Sequence, residues 1–291
     1  MAGHRPPAVA GLFYPSSRAE CLREILRCRA AAPERIPSDR RALAAVAPHA
    51  GWTFSGPTMA AALAPLEAEG PDLVILFGAD HHGLRRGRCS VDPGSAWRTP
   101  VGDAAIDEEV AAALAGDPAS GVDSSASAHG PEHSIEVIVP FLVQGLPGAR
   151  ILPVIVPPGA GGAAAGVAAV RAARRLGRRA VAVGSSDLTH YGERYGFAPL
   201  GSGASAHRWS REENDREILD RAAALDSAGI EESASRRRNA CGPGAMAAVV
   251  AAARELGADR ATLLRHTTSA EVLGEEEPDT WVGYAAMVFH A

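Results

Sequence analysis

The stretch LVILFGADHHG, residues 73–83, joins a strongly apolar run to a pair of histidines. Two other stretches follow the same pattern: LAAVAPHAG carries His49, and AVAVGSSDLTH carries Asp187 and His190. In open α/β sheets, ligands bind in the crevice beyond the carboxyl ends of the parallel strands. Imidazoles that reach this crevice from separate strands can converge on one ion. The three stretches therefore predict a metal site at one edge of a sheet.

Apolar runs rich in Val, Ile, Leu and Ala alternate along the chain with segments of helical periodicity. We predict strands at 43–47, 73–78, 151–156, 180–184 and 281–289. We predict helices at 20–30, 57–67, 104–115, 134–144, 163–176, 212–225 and 242–256. This alternation predicts an α/β fold with a mainly parallel or mixed central sheet flanked by helices. No long linker or fixed repeat interrupts the chain, so we expect one domain over residues 1–291, with the last strand added antiparallel or at an edge.

The composition indicates a globular protein and argues against a nucleic-acid-binding or membrane protein. The chain has 291 residues, 46% hydrophobic and 22% charged, which are ordinary values for a globular protein. A net charge of −5 argues against a nucleic-acid partner, because such proteins usually present a basic face. No run reaches the roughly 18 apolar residues of a membrane span, and prolines interrupt the N-terminal segment where a secretory signal would be apolar. We therefore expect no membrane association and a cytoplasmic location.

All 29 basic residues are arginine, since the sequence contains no lysine. A Schiff-base mechanism and a phosphate-binding P-loop both require a lysine amine. Neither chemistry is open to this chain. The run GAGGAA at 159–164 fits a permissive dinucleotide-binding pattern, but Pro157 and Pro158 interrupt the turn before it and no acidic residue lies about 20 residues onward. We do not expect a dinucleotide cofactor.

The candidate donors favour a transition metal. Imidazole nitrogen, thiolate sulfur and carboxylate oxygen suit iron, copper or zinc better than magnesium or calcium, which prefer oxygen ligands. His81 and His82 are adjacent, so in extended chain they point to opposite sides, and we favour His81 as the ligand. The segment HGPEHSIE adds His129 and His133. Spacing alone leaves either His133 or Asp187 as the third ligand.

Cys241 precedes a helix-like run in the segment NACGPGA. Gly242 and Gly244 would let the backbone approach other elements closely, and Pro243 suits a first helical turn. A helix N-terminus stabilises a thiolate, which could ligate a metal or act as a redox group, although the same cysteine could simply be buried. Cys21 and Cys28 are seven residues apart and are expected to share one buried helix face.

Asp187 and His190 are three residues apart and can serve one site. A carboxylate beside an imidazole orients the ring and raises its basicity, which is the arrangement of a general base. Helix capping by Asp187 is the structural alternative. We expect His190 to be the base and Asp187 to orient it.

Seven motifs together resemble the MEMO family: VAGLFYP, APHAGWTFSG, GADHHG, WRTPVGD, EHSIEVIVPFL, SSDLTHYG and CGPGAMA. Each motif is weak alone, but all seven occur in order across nearly the whole chain. The family is similar in fold to the class III extradiol dioxygenases, whose catalytic subunits hold a non-haem iron. The resemblance implies a dioxygenase-like fold for this chain.

The resemblance also implies the site residues. His49, His81 and Cys241 would be the metal ligands, and Asp187 and His190 would line the same pocket. Further pocket residues would be His82, His133, Phe13, Tyr14, Trp52 and Phe54. The dioxygenases complete their triad with a glutamate, whereas the matching position here is Cys241. A thiolate favours copper or a differently tuned iron over zinc, so ring cleavage does not follow from the fold.

The expected function is iron- or copper-dependent redox or dioxygenase-like chemistry on a small substrate. A non-catalytic module that binds a peptide or protein in the same pocket is one alternative. A zinc-dependent hydrolase with the same ligands is another. The resemblance further implies a small-molecule or peptide ligand, and a radical SAM protein and an AMMECR-type protein as partners.

Overall fold

The computed structural model describes residues 3–32, 35–85 and 87–291. Its strands are β1 (His4–Arg5), β2 (Ala42–Ala47), β3 (Leu73–Gly78), β4 (Cys89–Val91), β5 (Ala96–Thr99), β6 (Gly102–Ala105), β7 (Val122–Ser124), β8 (Arg150–Ile155), β9 (Ala180–Ser185), β10 (His190–Tyr191), β11 (Arg260–Thr268) and β12 (Trp281–His290). Its helices are α1 (Arg18–Ala30), α2 (Trp52–Ala68), α3 (Glu108–Ala115), α4 (Ala126–His129), α5 (Val139–Gly145), α6 (Gly162–Arg175), α7 (Ala204–Trp209), α8 (Asp215–Ala223), α9 (Ser227–Arg237), α10 (Pro243–Leu256) and α11 (Ser269–Leu273). A π-helical turn, Ser210–Asn214, joins α7 to α8.

A mixed sheet lies at the centre of the fold. Within the described ranges it has nine strands in the order β10-β12-β2-β9-β3-β8-β4-β7, with β11 paired to β12. The four central strands β2, β9, β3 and β8 run parallel, and β12 pairs antiparallel with β2. The predicted α/β class, the mixed sheet and the antiparallel last strand are all confirmed.

Helices cover the sheet and share its hydrophobic core. Helix α2 packs on β2 and β12, and α10 packs on β9 and β2. Every residue of β2, β3 and β9 is buried, as expected for parallel strands covered on both faces. Cys21 and Cys28 lie on the buried face of α1, as predicted. Among the described helices, none combines the length and the hydropathy that crossing a bilayer requires.

Glycines bring α6 and α10 into backbone contact. A Cβ atom added to Gly166 would lie 2.1 Å from the Ala248 carbonyl oxygen, and one added to Gly162 would lie 2.5 Å from the Gly244 oxygen. In the GAGGAA segment, Gly162 is therefore needed for the close packing of α6 against α10. Gly244 itself approaches the end of β8, since its Cβ would lie 2.6 Å from the Val156 oxygen. These contacts fix where α10 begins.

Several predicted boundaries are wrong for local reasons. The helix predicted at 134–144 begins only at Val139, because the residues before it form turns. The helix predicted at 104–115 begins at Glu108, after Asp107 caps it and after β6 has paired with β5. The helix predicted at 212–225 begins at Asp215 and ends at Ala223, because the residues before it belong to the π-helical turn. Sequence periodicity also missed α9 and the edge strand β11.

Replacing Gly166 with alanine is expected to destabilise the protein by about 1–3 kcal/mol, because the new methyl group would overlap the Ala248 carbonyl. Chemical denaturation of the purified variant measures this change. Gly130→Ala is the matched control, since Gly130 also has helical dihedral angles and its Cβ would meet nothing closer than the Ser127 oxygen at 3.7 Å. Equal stability of Gly166→Ala and the wild type would contradict the backbone contact.

Candidate metal centre

Three neighbouring parallel strands deliver the candidate ligands to one edge of the sheet. His49 follows β2, His81 follows β3, and Asp187 follows β9, which lies between them. The rings of His49 and His81 are 5.0 Å apart, centroid to centroid. The direction and order of the strands alone therefore bring these side chains together.

A hydrogen bond at Nδ1 holds the His49 ring in one orientation. His49 is 2% exposed, and its Nδ1 lies 2.9 Å from Ser185 Oγ. The Ser185 hydroxyl donates its own proton to the Ser134 carbonyl at 2.6 Å, so it can only accept from His49. We therefore assign the proton to Nδ1. Nε2 faces Cys241 Sγ at 3.2 Å and is the nitrogen available to a metal.

Glu132 holds His81 in the same way. Its Oε1 lies 2.9 Å from His81 Nδ1, and its Oε2 accepts the His81 backbone N–H at 2.8 Å. Glu132 is 2% exposed and also accepts the Ser134 N–H. A carboxylate on one ring nitrogen fixes the tautomer and makes the other nitrogen a better ligand. Burial alone would raise the pKa of Glu132, but the bond and charge of His81 and these amides hold it well below its usual range.

Cys241 lies at the start of α10, against the end of β9. Its backbone N–H donates to the Asp187 carbonyl, and its Sγ accepts the Asp187 N–H, both at 3.2 Å. This approach requires Gly242, whose Cβ would lie 2.6 Å from the Ser185 oxygen. The close backbone approach predicted for Gly242 and Gly244 is confirmed.

The ionised form of Cys241 is stabilised by its histidine neighbours. Burial would raise the pKa of this thiol, but the charge and hydrogen bond of His49 and a hydrogen bond from His81 lower it to about 5. Burial also lowers the pKa of His81, yet its bonds to Cys241 and Glu132 outweigh that effect and raise it to about 10. The pKa of His49 is likewise raised, because Cys241 and Asp187 overcome burial. The cluster thus holds a thiolate next to imidazoles.

Two overlapping sets of ligand atoms meet at His49. The nitrogen atoms of His49, His81 and His133 form one set, and His49, Asp187 and Cys241 form the other, with all atoms of each set within 4.8 Å of one another. The His133 ring stacks on His81 at 4.8 Å. Burial, together with the positive charges of His49 and His81, lowers the pKa of His133 to about 4, so this ring is neutral. Both third ligands left open by spacing lie beside His49.

Asp187 and His190 form a looser pair at the rim. Asp187 Oδ1 accepts the His49 N–H at 2.7 Å, and Oδ2 lies 3.8 Å from His190 Nε2. Burial lowers the pKa of His190, but its contact with Asp187 and the charge of Cys241 raise it above the usual value. Within the described part of the chain, His190 Nε2 is buried and has no hydrogen-bond partner. This nitrogen is therefore free to bond a ligand.

Two cavities border the cluster. The imidazole-side cavity, about 450 Å³, is lined by His49, His81, His133, Asp187 and His190 together with Phe13 and Phe54. The thiolate-side cavity, about 630 Å³, is lined by Cys241, His190 and residues of α9. Both volumes are in the range that accommodates small molecules. His190 borders both cavities.

The remaining predicted pocket residues take different positions. Phe13 packs on His133 with ring centroids 4.8 Å apart, and Phe54 lines the same cavity. Tyr14 and Trp52 lie in the core instead: the Tyr14 hydroxyl donates to Glu136, and the Trp52 indole donates to the Val137 carbonyl. The prediction of His82 as a pocket residue is wrong, because His82 is exposed and its Nε2 bonds the Pro131 carbonyl at 3.0 Å.

Two residues of the cluster escaped the sequence analysis, Glu132 and Ser185. Glu132 lies in the HGPEHSIE segment, whose histidines are the more obvious candidate ligands. An acidic residue directly before a candidate ligand was the available signal. Ser185 is the last residue of β9, and nothing in the sequence distinguishes it from an ordinary buried strand residue. His129 lies away from the cluster, buried against the Ser90 carbonyl.

Comparison with known proteins gives consistent matches over the whole chain. The model of the family described as "Memo-like protein" matches residues 5–288. A MEMO1 family protein of Methanopyrus kandleri is 37% identical over 98% of both chains. A MEMO1 family protein of Methanothermobacter thermautotrophicus is 36% identical over 97% of this chain and 98% of its own. One of Methanosarcina acetivorans is 35% identical over 98% of both.

In metal-free protein, we expect Cys241 to ionise with a pKa of about 5, while burial raises the pKa values of Cys21, Cys28 and Cys89 to about 11, 12 and 12. The ultraviolet absorbance of thiolate, followed during a pH titration, should show one thiol that ionises below neutral pH. Cys241→Ser should abolish this transition and Cys89→Ser should retain it. A titration with no ionising thiol below neutral pH would contradict the thiolate–imidazole arrangement.

Proposed function

We propose, since the chain belongs to the Memo-like protein family, that it is a metalloprotein that binds iron or copper through His49, His81 and Cys241. The proposed activity is redox chemistry on a small substrate that enters the imidazole-side cavity. The ligand atoms are His49 Nε2, His81 Nε2 and Cys241 Sγ. One observation carries the proposal: Ser185 and Glu132 occupy the Nδ1 atoms of both rings, which leaves each Nε2 available as a ligand, and His49 Nε2 lies 3.2 Å from Cys241 Sγ.

The donor chemistry fits a transition metal. Two imidazoles and a thiolate suit iron, copper and zinc, and none of the three is a donor that magnesium or calcium prefers. A bound iron or copper ion would supply one-electron exchange and Lewis acidity. The thiolate is a soft donor that suits copper and iron as well as zinc, so the metal that co-purifies with the protein separates the redox proposal from a zinc hydrolase. The buried carboxylates Asp187 and Glu132 offset the positive charge of the cluster.

The chain's own residues would handle the substrate and its proton. His190 borders both cavities, and its Nε2 has no hydrogen-bond partner among the described residues, so it is the proposed acceptor of a substrate proton. Asp187 Oδ2, 3.8 Å away, would stabilise the imidazolium that results. Phe13 and Phe54 provide apolar wall, which favours a substrate with an apolar or aromatic part. His133, a neutral ring, offers a further donor on the cavity side.

Substitution of the proposed ligands should remove the metal. We expect stoichiometric iron or copper in protein purified without oxygen, and its loss in His81→Ala and Cys241→Ser. Elemental analysis of the purified proteins measures this. His82→Ala and Cys89→Ser are matched controls, because His82 is exposed with its Nε2 on the Pro131 carbonyl and Cys89 is buried elsewhere; both should keep the metal.

Two results of that analysis would contradict the proposal. Stoichiometric metal that persists in a His49→Ala, Cys241→Ala double variant would show that other residues hold it. Stoichiometric zinc in wild-type protein, with activity that does not depend on oxygen or a reductant, would favour a hydrolase that uses the same ligands.

Glu132 should strengthen the binding of the metal through His81, without contacting the metal itself. Glu132→Gln keeps the shape of the side chain but removes the charge that holds His81 Nδ1–H. We expect metal affinity to fall about 10–100-fold, as is typical when a carboxylate behind a ligating histidine is changed. Competition with a chelator of known affinity measures it. An unchanged affinity would show that His81 does not ligate or does not need this partner.

A further inference from the structure

Asp215 is a buried carboxylate that lies outside the proposed metal centre. It is the first residue of α8 and is 0% exposed. Its Oδ2 lies 3.0 Å from His266 Nε2, on β11. Burying a charged carboxylate is costly unless it is fully hydrogen-bonded, so its partners indicate what it stabilises.

The other oxygen of Asp215 binds both polar groups of one residue, Thr189. Oδ1 accepts the Thr189 backbone N–H at 3.0 Å and also the Thr189 hydroxyl. Thr189 directly precedes His190 and is itself 0% exposed. Two bonds to a backbone amide and a side chain of the same residue fix both its position and its rotation.

The π-helical turn brings a second residue to the same threonine. Asn214, the last residue of this turn, donates from Nδ2 to Thr189 Oγ1 at 2.9 Å. Consecutive residues of a regular α-helix point about 100° apart. Here both Asn214 and Asp215 reach one side chain. Turns of this kind are frequent at functional sites.

The opposite side of the segment is held by β12. The Leu188 N–H donates to the Gly283 carbonyl at 2.8 Å, and the Gly283 N–H donates to the Thr189 carbonyl at 3.0 Å. Only glycine fits at 283, because a Cβ there would lie 2.4 Å from Asp215 Oδ2. The chain between Asp187 and His190 is therefore clamped between β12 and Asp215.

We propose that Asp215 is a positioning residue for His190, acting through Thr189. It sets the segment that carries His190 so that the His190 ring lies beside Asp187 and borders both cavities. The inference rests on the proposed function only in giving His190 a proton-transfer role. The positioning itself is a property of the metal-free chain and can be tested there.

The test follows the His190 ring by NMR in metal-free protein at one fixed pH. The His190 ring lies 5.0 Å from the Tyr195 ring, so its Cε1–H resonance responds to small displacements through the ring current of Tyr195. In Asp215→Ala we expect this resonance to shift while those of His49 and His81 stay in place. His190→Gln assigns the resonance. Asp220→Ala is the matched control, because Asp220 lies on the exposed side of the same helix and, among the residues that the structure describes, its side chain pairs only with Arg216.

Two further variants separate positioning from general destabilisation. Asp215→Asn should keep the wild-type resonance, because its amide oxygen can accept both Thr189 bonds and its side chain retains the shape that packs against His266. Thr189→Val keeps the backbone bond and loses the hydroxyl, so it should give a smaller shift of the same sign and tests the inference if Asp215→Ala does not fold. An unmoved His190 resonance in folded Asp215→Ala or Thr189→Val would overturn the proposal. A common shift of all histidine rings would overturn it too, and neither result bears on whether the protein binds metal.

Discussion

The reciprocal contact between Cys241 and Asp187 is the constraint on which the centre depends. It joins the start of α10 to the end of β9, with the Cys241 N–H on the Asp187 carbonyl and the Asp187 N–H on the Cys241 sulfur. Only glycine at 242 permits this approach. Because β9 lies between β2 and β3, a thiolate fixed at its end lies between the strands that precede His49 and His81, with its sulfur 3.2 Å from His49 Nε2.

The charges gathered here stabilise one another. A buried thiolate or carboxylate is unfavourable alone and becomes tolerable only when paired and hydrogen-bonded. His49 contacts Cys241 and Asp187, and His81 connects the thiolate to Glu132. Removing any one member would leave another buried charge without its partner. The same interdependence prepares the cluster for a cation, because the second nitrogen of each ring already has a partner in Ser185 or Glu132.

Strand periodicity could predict the fold class and the meeting of His49, His81 and Asp187, because parallel strands necessarily end at a common edge. It could not reveal Glu132, whose role depends on how the turns of residues 132–138 fold. Those turns are shaped by distant groups: Glu136 pairs with Arg5 and accepts the N–H groups of Ala8 and Val9. The sequence also does not show that Phe13 lies on the cavity wall and Tyr14 in the core, because adjacent aromatic residues look alike in sequence. Cys241 required the family resemblance, because nothing in its own segment distinguishes a ligand from a buried cysteine.

The central claim is that a redox metal is held by two imidazoles and one thiolate. A crystal structure of protein purified without oxygen, with data collected at the iron, copper and zinc absorption edges, identifies the ion and its ligands in one experiment. We predict an iron or copper ion bonded to His49 Nε2, His81 Nε2 and Cys241 Sγ. A zinc signal, or an ion bonded to His49, His81 and His133 with Cys241 unbonded, would contradict it.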